Sequence, residues 1–520
     1  MTMKAVSVSG IVYALGLSLL SFAFFLKAKD VFPPIKHKLV LTNSGQVLAE
    51  RYCQMCHMFP EPGLLDKNTW QQSVLPNMGM RLGIRTKGVD PFEDLDPEDE
   101  RIVRNLNIYP EQPLISEADW SKIVDYYVQN APIKLGTQPT PVALEKEIMP
   151  FKSQFISIGE GKLPKVSLLS FNKITSELYI GDNDNLYTLK NTGEIVNSWK
   201  LNSPAAHIEF EENSDPLLLT LGKFRPSDQA LGRLSSLKTK ANNLSSVIDI
   251  SKLRRPVYFA SGDLNGDKKK DVVVCNFGNY GGKLSWFDGY ENTKEHILSY
   301  LPGARMVEIM DLNGDQRPDI VALMAQAYEQ ISIYYNKGQG DFEEEKVLEF
   351  SPVHGVSYFE LADFNNDGYQ DILLTNGDNW DYSNVDKPYQ GLRIYLNDGH
   401  NHFKEAFFYP MYGCSKAMAW DFDNDGDLDI VGASFYADLK DPKESFVYLV
   451  NNGNLKFTAS FHPDAMYGKW LTMEVADFNG DNRLDVMLGS FIFNFNEMTK
   501  VLATTGISSF PQVLLLTQID

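Results

Sequence analysis

Asp421-Phe422-Asp423-Asn424-Asp425-Gly426-Asp427-Leu428-Asp429, followed by Ile430-Val431, is the stretch that decides the fold. The same nine-residue frame recurs at residues 263–271, 311–319, 363–371 and 477–485, each time leading into a short apolar run such as Val272-Val273-Val274 or Ile372-Leu373-Leu374. The first aspartates stand 48, 52, 58 and 56 residues apart. A second mark recurs downstream: Asn336-x-Gly338 then Phe342, Asn397-x-Gly399 then Phe403, and Asn451-x-Gly453 then Phe457. Asn and Gly tolerate the left-handed backbone that a tight hairpin turn requires.

Two worn copies lie upstream. Glu209-Phe210-Glu211-Glu212-Asn213 leads into Leu217-Leu218-Leu219, and Ser170-Phe171-Asn172 leads into Leu178-Tyr179-Ile180. Five clear copies and two worn ones make seven units of about 50 residues, each with several short strands, which is how a β-propeller reads in sequence. Seven units fill residues 151–520 with no surplus. A β-sandwich does not explain a seven-fold period.

Each clear loop sets oxygen donors at positions 1, 3, 5 and 9. They are Asp263, Asn265, Asp267 and Asp271; Asp311, Asn313, Asp315 and Asp319; Asp363, Asn365, Asp367 and Asp371; Asp421, Asp423, Asp425 and Asp429; and Asp477, Asn479, Asp481 and Asp485. Alternate positions in a tight loop converge on one point, and hard divalent cations prefer several carboxylate and carbonyl oxygens. Carboxylates packed together without a cation repel. We therefore expect about five Ca²⁺, one per clear loop, stiffening the blade turns, and none in the worn loops. Asx-rich surface turns without metal are the plain alternative. This part of the chain resembles the FG-GAP/VCBS-type propeller repeats of integrin α chains and of many secreted bacterial proteins. The resemblance rests on the Asp loops and the strands after them, and it implies a calcium-stiffened scaffold rather than a reaction.

The chain has 520 residues, too many for one compact core. Its net charge of −20 argues against nucleic-acid binding, which needs a basic face. Lys4 precedes an uncharged run from Ala5 to Leu26, long enough to span a bilayer as a helix. A basic start followed by an apolar run also reads as an export signal. Residues 1–30 are thus a signal peptide or a membrane anchor, and either reading exports the rest to the periplasm or the cell surface. Residues 31–130 read as mostly helical, with apolar residues at helical spacing around Trp70–Leu75 and Trp120–Val128. The acidic stretch 90–100 reads as a solvated loop. Residues 131–150, with Pro132, Pro139, Pro141 and Pro150, read as a semi-rigid linker. The fold class expected is a multidomain one, a small all-α domain joined to an all-β seven-bladed propeller, behind an N-terminal hydrophobic segment.

Cys53-Gln54-Met55-Cys56-His57 carries the chemistry of the helical part. Two thiols three residues apart can form thioethers to both vinyl groups of a haem, and the adjacent histidine can bind its iron. A zinc site needs a second ligand pair, and a thioredoxin-like pair needs a βαβ pattern; this region shows neither. Covalent haem also suits an exported chain. The region resembles class I cytochrome c over about 80 residues, through the haem motif, Pro76-Asn77-Met78 and the aromatic helix 120–128. That resemblance implies Met78 as the sixth iron ligand. The interval from His57 to Met78 is shorter than usual in that family, and Met80 competes for the role. A His/Met iron suits electron transfer, whereas an open position suits catalysis.

Cys275 and Cys414 lie in different repeats and are expected as buried free thiols. Glu308, Glu360 and Glu474 each stand three residues before an Asp loop, so they fall at one level of the innermost strands, near Arg305, Lys416 and Lys469. Insertions follow the second strand of three repeats, at residues 376–390, 436–444 and 491–510, on one expected binding face. The leading functional expectation is an exported monohaem electron-transfer protein whose propeller docks a redox partner protein or an extracellular ligand. The alternative is a haem-coupled dehydrogenase with its substrate on the propeller face.

Overall fold

The computed structural model describes residues 44–86, 88–139, 150–159, 163–238, 248–291, 293–379, 382–437, 445–506 and 510–519. The expected N-terminal segment and residues 140–149 of the proline-rich linker lie outside them. Among the described residues no helix is long and apolar enough to cross a membrane.

Residues 151–518 form seven antiparallel sheets of four strands each. Blade 1 runs from Leu168–Asn172 to Ile195–Lys200, blade 2 from Ala205–Glu209 to Asp249–Leu253, and blade 3 from Pro256–Gly262 to Glu295–Ser299. Blade 4 runs from Ala304–Met310 to Asp341–Phe350, blade 5 from Val356–Ala362 to Phe403–Pro410, and blade 6 from Cys414–Trp420 to Phe457–Ser460. Blade 7 takes three strands from the chain's end, Trp470–Ala476, Asp485–Ser490 and Val513–Gln518. Its outermost strand, Phe151–Ile156, comes from the start of the repeat region, with Phe151 opposite Gln518 and Ile156 opposite Val513. The ring is thereby closed by main-chain hydrogen bonds between distant parts of the chain, which leaves it no open end.

The second strand of each of blades 3, 5, 6 and 7 is buried along its whole length. Both faces of such a strand pack on a neighbouring blade. Val273 and Cys275 pack against Ile320 and Ala322 of blade 4, while Val272 and Val274 pack against Leu219 and Leu234 of blade 2. The apolar core is thus a series of inter-blade clusters. That is why these strands read as unbroken hydrophobic runs rather than alternating ones. Cys275 and Cys414 are free and fully buried, as expected.

In a four-stranded meander the first and third connections share one end of the blade. The Asp loops and the Asn-x-Gly hairpins therefore share one face of the propeller. The longer second connections, 377–390, 435–445 and 491–512, leave from the opposite face, and the last carries helix α6 (Phe495–Thr505).

Residues 44–130 form α1 (Ser44–Cys53), α2 (Lys67–Thr69), a wide turn at Trp70–Val74, α3 (Leu75–Arg81), α4 (Pro97–Asn105) and α5 (Glu117–Asn130). Helices α1 and α5 cross in close contact: a Cβ on Gly45 would lie 2.3 Å from the Lys122 carbonyl oxygen. Trp70 meets Tyr127 at an interplanar angle of 44° with ring centres 4.4 Å apart, and Trp120 covers Gly79 of α3.

The acidic stretch corrects the loop expectation. Asp96 caps α4 by accepting from the Glu98 and Asp99 amides, and Glu98, Asp99 and Glu100 form its first turn. Acidic side chains there meet the positive end of the helix dipole. Asp99 is buried, because it accepts from Ser227 Oγ at 2.8 Å, from the Asp228 amide and from Gln229 Nε2 of blade 2. Lys223 adds an ion pair to Asp96.

Further bonds seat the helices on the propeller face that carries the long connections. Ser73 Oγ donates to the Tyr382 carbonyl at 2.6 Å, Tyr389 donates to the Leu64 carbonyl at 3.1 Å, and the Tyr109 and Tyr280 hydroxyls meet at 3.1 Å. Val353, Tyr382 and Val385 of the propeller join the apolar cluster beneath α5.

Candidate functional site

The Cys-x-x-Cys-His segment begins on the last residue of α1. Cys53 is half-buried; its thiol is pushed up to about 11 chiefly by burial, and it accepts from the Tyr127 hydroxyl at 3.9 Å. Cys56 is exposed, and both thiols are free. His57 Nδ1 is engaged by the Met58 carbonyl at 2.8 Å, which leaves Nε2 for a metal. Burial lowers the His57 pKa, and the nearby Arg81 charge lowers it further, so the imidazole is kept neutral. Two thiols and a neutral imidazole form a donor set that fits a covalently held haem.

Met78 lies on α3 and packs in the same apolar cluster as Cys53 and Trp120. Met80 is buried at 7% exposure but does not join that cluster. Met55 and Met58 are exposed. Arg81 shares a helix face with Met78, three residues on. Its guanidinium lies 5.0 Å from the Tyr280 ring centre and 5.9 Å from those of Tyr109 and Tyr382. It donates to the Tyr382 hydroxyl at 3.1 Å, while its buried Nε has no partner among the described residues.

The five Asp loops share one geometry. Positions 4 and 6 take left-handed backbone, as at Asn424 (φ 60°) and Gly426 (φ 94°), and even Lys268 and Gln316 do so. The position 1 carboxylate accepts loop amides: Asp421 accepts from Asp425 and Gly426, both at 3.1 Å. In blade 6, Asp421, Asp423 and Asp425 bring carboxylate oxygens within 4.8 Å of one another. The other four loops carry Asn at position 3. In blades 3, 4 and 7 the position 5 aspartate has a basic partner two residues on, namely Lys269, Arg317 and Arg483. Blades 5 and 6 have Tyr369 and Asp427 there instead.

Position 9 plays a part that the sequence pattern did not reveal. Asp271, Asp319, Asp371, Asp429 and Asp485 are fully buried and open the second strand. Each accepts from the position 2 amide of its own loop and from an amide of its blade's third strand or the turn after it. For Asp371 these are Phe364 and Asn397, at 2.9 and 2.8 Å. The worn loops lack this residue.

The four channel glutamates share one register. Each innermost strand of blades 2 to 7 shifts register between its first and third residues, and the residue four after the start is Glu209, Ala260, Glu308, Glu360, Met418 or Glu474. Glu209 therefore belongs to the channel strand and not to a loop, as its worn-copy alignment suggested. It accepts from Ser261 Oγ at 2.7 Å. Burial raises Glu308 to about 8 and Glu360 to about 7, and it also raises Glu209 and Glu474. Lys416, lowered by burial, faces Glu474 and Glu360 and donates to the Met473 carbonyl at 2.8 Å. Lys469 instead pairs with Glu497 of α6.

Above this ring the channel opens into a cavity of about 330 Å³ on the face that carries the helices. Its wall includes Arg225, Arg255, Arg305 and Lys416.

No curated protein matches this sequence. Three solved structures are similar in chain path. One is a chain of the S. cerevisiae Dbp5 complex with Nup159 and Gle1, at 14% identity and TM-score 0.43, covering 73% of this chain and 98% of that one. The second is the Neurospora crassa Pan2 WD40 domain, at 9% identity and TM-score 0.40, covering 68% and 88%. The third is BBS1N in complex with ARL6DN, at 10% identity and TM-score 0.41, covering 71% and 95%. The FG-GAP-like repeat matches residues 263–322, 311–374 and 421–488, each span beginning on the first aspartate of a loop described above. Residues 151–518 are a seven-bladed β-propeller, and FG-GAP-like repeats account for residues 263–374 and 421–488 of it.

Proposed function

We propose that the protein is an exported monohaem electron carrier: a c-type haem domain seated on a propeller that serves as a docking scaffold. The observation that carries this reading is the half-buried His57, its Nδ1 engaged by the Met58 carbonyl and its Nε2 left over, beside two free thiols. Cys53 and Cys56 would hold the haem covalently, His57 would bind its iron, and Met78 rather than Met80 would be the second protein ligand, since it shares the Cys53 cluster. Bound haem supplies one-electron chemistry. Tyr127 shields Cys53 in part, burial disfavours the charged form of His57, and Trp120 holds α3.

Calcium at the five Asp loops would serve structure, on the face away from the helices. The apolar run at 5–26 supports export, either with cleavage or as an anchor. Expression with haem-attachment machinery tests the reading. Haem that survives acidified organic solvent extraction, and is lost in Cys53→Ser with Cys56→Ser, is the expected result; freely extracted haem overturns it.

A second reading, a haem-coupled dehydrogenase, is favoured by one observation. The connections that hold the helices also line the channel cavity: Ser227 binds α4 while Phe224 and Arg225 face the cavity.

A further inference from the structure

The cavity at the channel mouth departs from the rest of this acidic chain. Four cationic side chains line it, from blades 2, 3, 4 and 6. Among the described residues Arg225, Arg305 and Lys416 have no carboxylate within ion-pair distance, although this chain forms many ion pairs elsewhere.

Backbone carbonyls hold three of these cations instead. Arg305 Nε donates to the Ser357 carbonyl of the next blade. Lys416 Nζ donates to the Met473 carbonyl, and Arg255 donates to the Phe224 carbonyl through Nε at 3.3 Å and a terminal nitrogen at 3.2 Å. A carbonyl fixes a cation in place without neutralising it. The Arg305 charge is therefore pre-positioned and still available for a charge-assisted bond.

The glutamates lie one level deeper on the same strands. Their burial favours the protonated form near neutral pH, so they offset the mouth's positive charge only in part.

Phe224, Phe277, Phe435 and Phe493 add aromatic surface, beside aliphatic side chains and one carboxylate, Asp378. Phe493 meets Phe224 and Phe435 edge to face, with ring centres 6.0 and 5.8 Å away. The Arg255 guanidinium lies 5.2 Å from the centre of the Phe277 ring. Gln326 adds an unspent acceptor: its Nε2 donates to the Asn279 carbonyl, while its buried Oε1 has no partner among the described residues. The volume lies within the range of small-molecule sites.

We propose that the channel mouth binds a small organic polyanion with a flat apolar body, an aromatic compound bearing two or more carboxylates. The cations take the carboxylates, and the rings take the flat body. Gln326 accepts from a hydroxyl or amine on the ligand. Inorganic phosphate would satisfy the cations and leave the aromatic wall unused. The inference does not depend on haem, since the cavity and its charges belong to the propeller.

Calorimetric titration of the full chain with benzene-1,2,4-tricarboxylate, citrate, inorganic phosphate and benzyl alcohol tests this. The aromatic tricarboxylate is expected to bind one to one, more tightly than citrate or phosphate, and to weaken as salt is added. Loss of one charge-assisted contact should weaken it roughly tenfold in Arg305→Gln and in Arg225→Gln. Arg225 is exposed and unpaired among the described residues, so its substitution leaves the fold intact and keeps the test decisive if Arg305→Gln misfolds. No one-to-one binding, equal affinity in wild type and Arg225→Gln, or tighter binding of phosphate or benzyl alcohol would each overturn the proposal.

Discussion

Asp429 accepts a hydrogen bond from the Asn451 amide at 2.8 Å, and this bond joins the two marks that recur through the repeats. Asp429 closes the Asp loop, and Asn451 opens the Asn-x-Gly hairpin. The pairs Asp319–Asn336 and Asp371–Asn397 repeat the bond at the same distance. Asp429 also accepts from the Phe422 amide and the Tyr448 hydroxyl. The carboxylate is a buried lock between loop and hairpin, and it works with or without a cation.

Replacing the lock should therefore hurt more than replacing a loop ligand when no cation is present. Asp429→Ala leaves buried donors unsatisfied, at a cost of about 1–3 kcal/mol each. Asp421→Ala loosens only exposed loop amides. In urea unfolding with chelator present, Asp429→Ala is expected to lower the midpoint clearly and Asp421→Ala slightly. Equal effects would show that the ninth position acts only as a metal ligand.

Calcium should then separate the five loops. An ion that binds only the folded state stabilises by roughly 2.7 kcal/mol per site at 100-fold saturation. Arg317, Arg483 and Lys269 already occupy the fifth-position aspartates of blades 4, 7 and 3, so an incoming cation must displace them. The blade 5 and blade 6 loops face no such competitor. Calcium titration should show about two tighter and three weaker sites. Arg483→Gln should move one weak site towards the tight group, and a thermal scan that does not respond to calcium or chelator would refute calcium binding.

The seven-fold period was legible because each blade spends its apolar residues on a strand buried on both faces and its Asp, Asn and Gly on turns. That contrast survives in a single sequence. Helix α4 was not legible, because an acidic, proline-containing stretch reads as solvated. What buries Asp99 is Ser227, 128 residues away. Glu209 was misaligned for a related reason. Counting from the next apolar run placed it in a loop, whereas the register shift at Ala205 to His207 places it at the same level of the channel as Glu308. The cations of the channel mouth come from four blades, and no local motif collects them.

The haem reading makes its own prediction on α3. With covalent haem in place, Met78→Ala should remove the sulfur-to-iron band of the oxidised spectrum and lower the potential, since thioether ligation raises it. Met80→Ala should leave the band in place and cost packing only. The reverse pattern would move the ligand by two residues, and a band kept in both variants would point to another ligand.

The channel carboxyls predict a pH dependence of opposite sign to ordinary acid denaturation. Burial raises Glu308 to about 8 and Glu360 to about 7, so the folded chain holds protons that the unfolded chain releases near its ordinary carboxyl range. Stability is then lost as pH rises through those values, because above them folding keeps charged carboxylates away from water. Their neighbours set the useful window. His207, kept neutral by burial with its pKa at about 3, costs stability only below its ordinary value of 6.5. Lys416, lowered by burial, acts in the opposite sense over the span between its folded value and its ordinary 10.5. Tyr258 and Tyr358, both raised by burial, stay protonated. Between about pH 6.5 and 8 the buried carboxyls give up their protons in the folded chain, free of the His207 contribution. The melting temperature of the propeller is expected to fall by a few degrees across that window, and Glu308→Gln, which is neutral at every pH, should flatten the fall. An unchanged slope in Glu308→Gln would mean that Glu308 is already ionised in the folded chain.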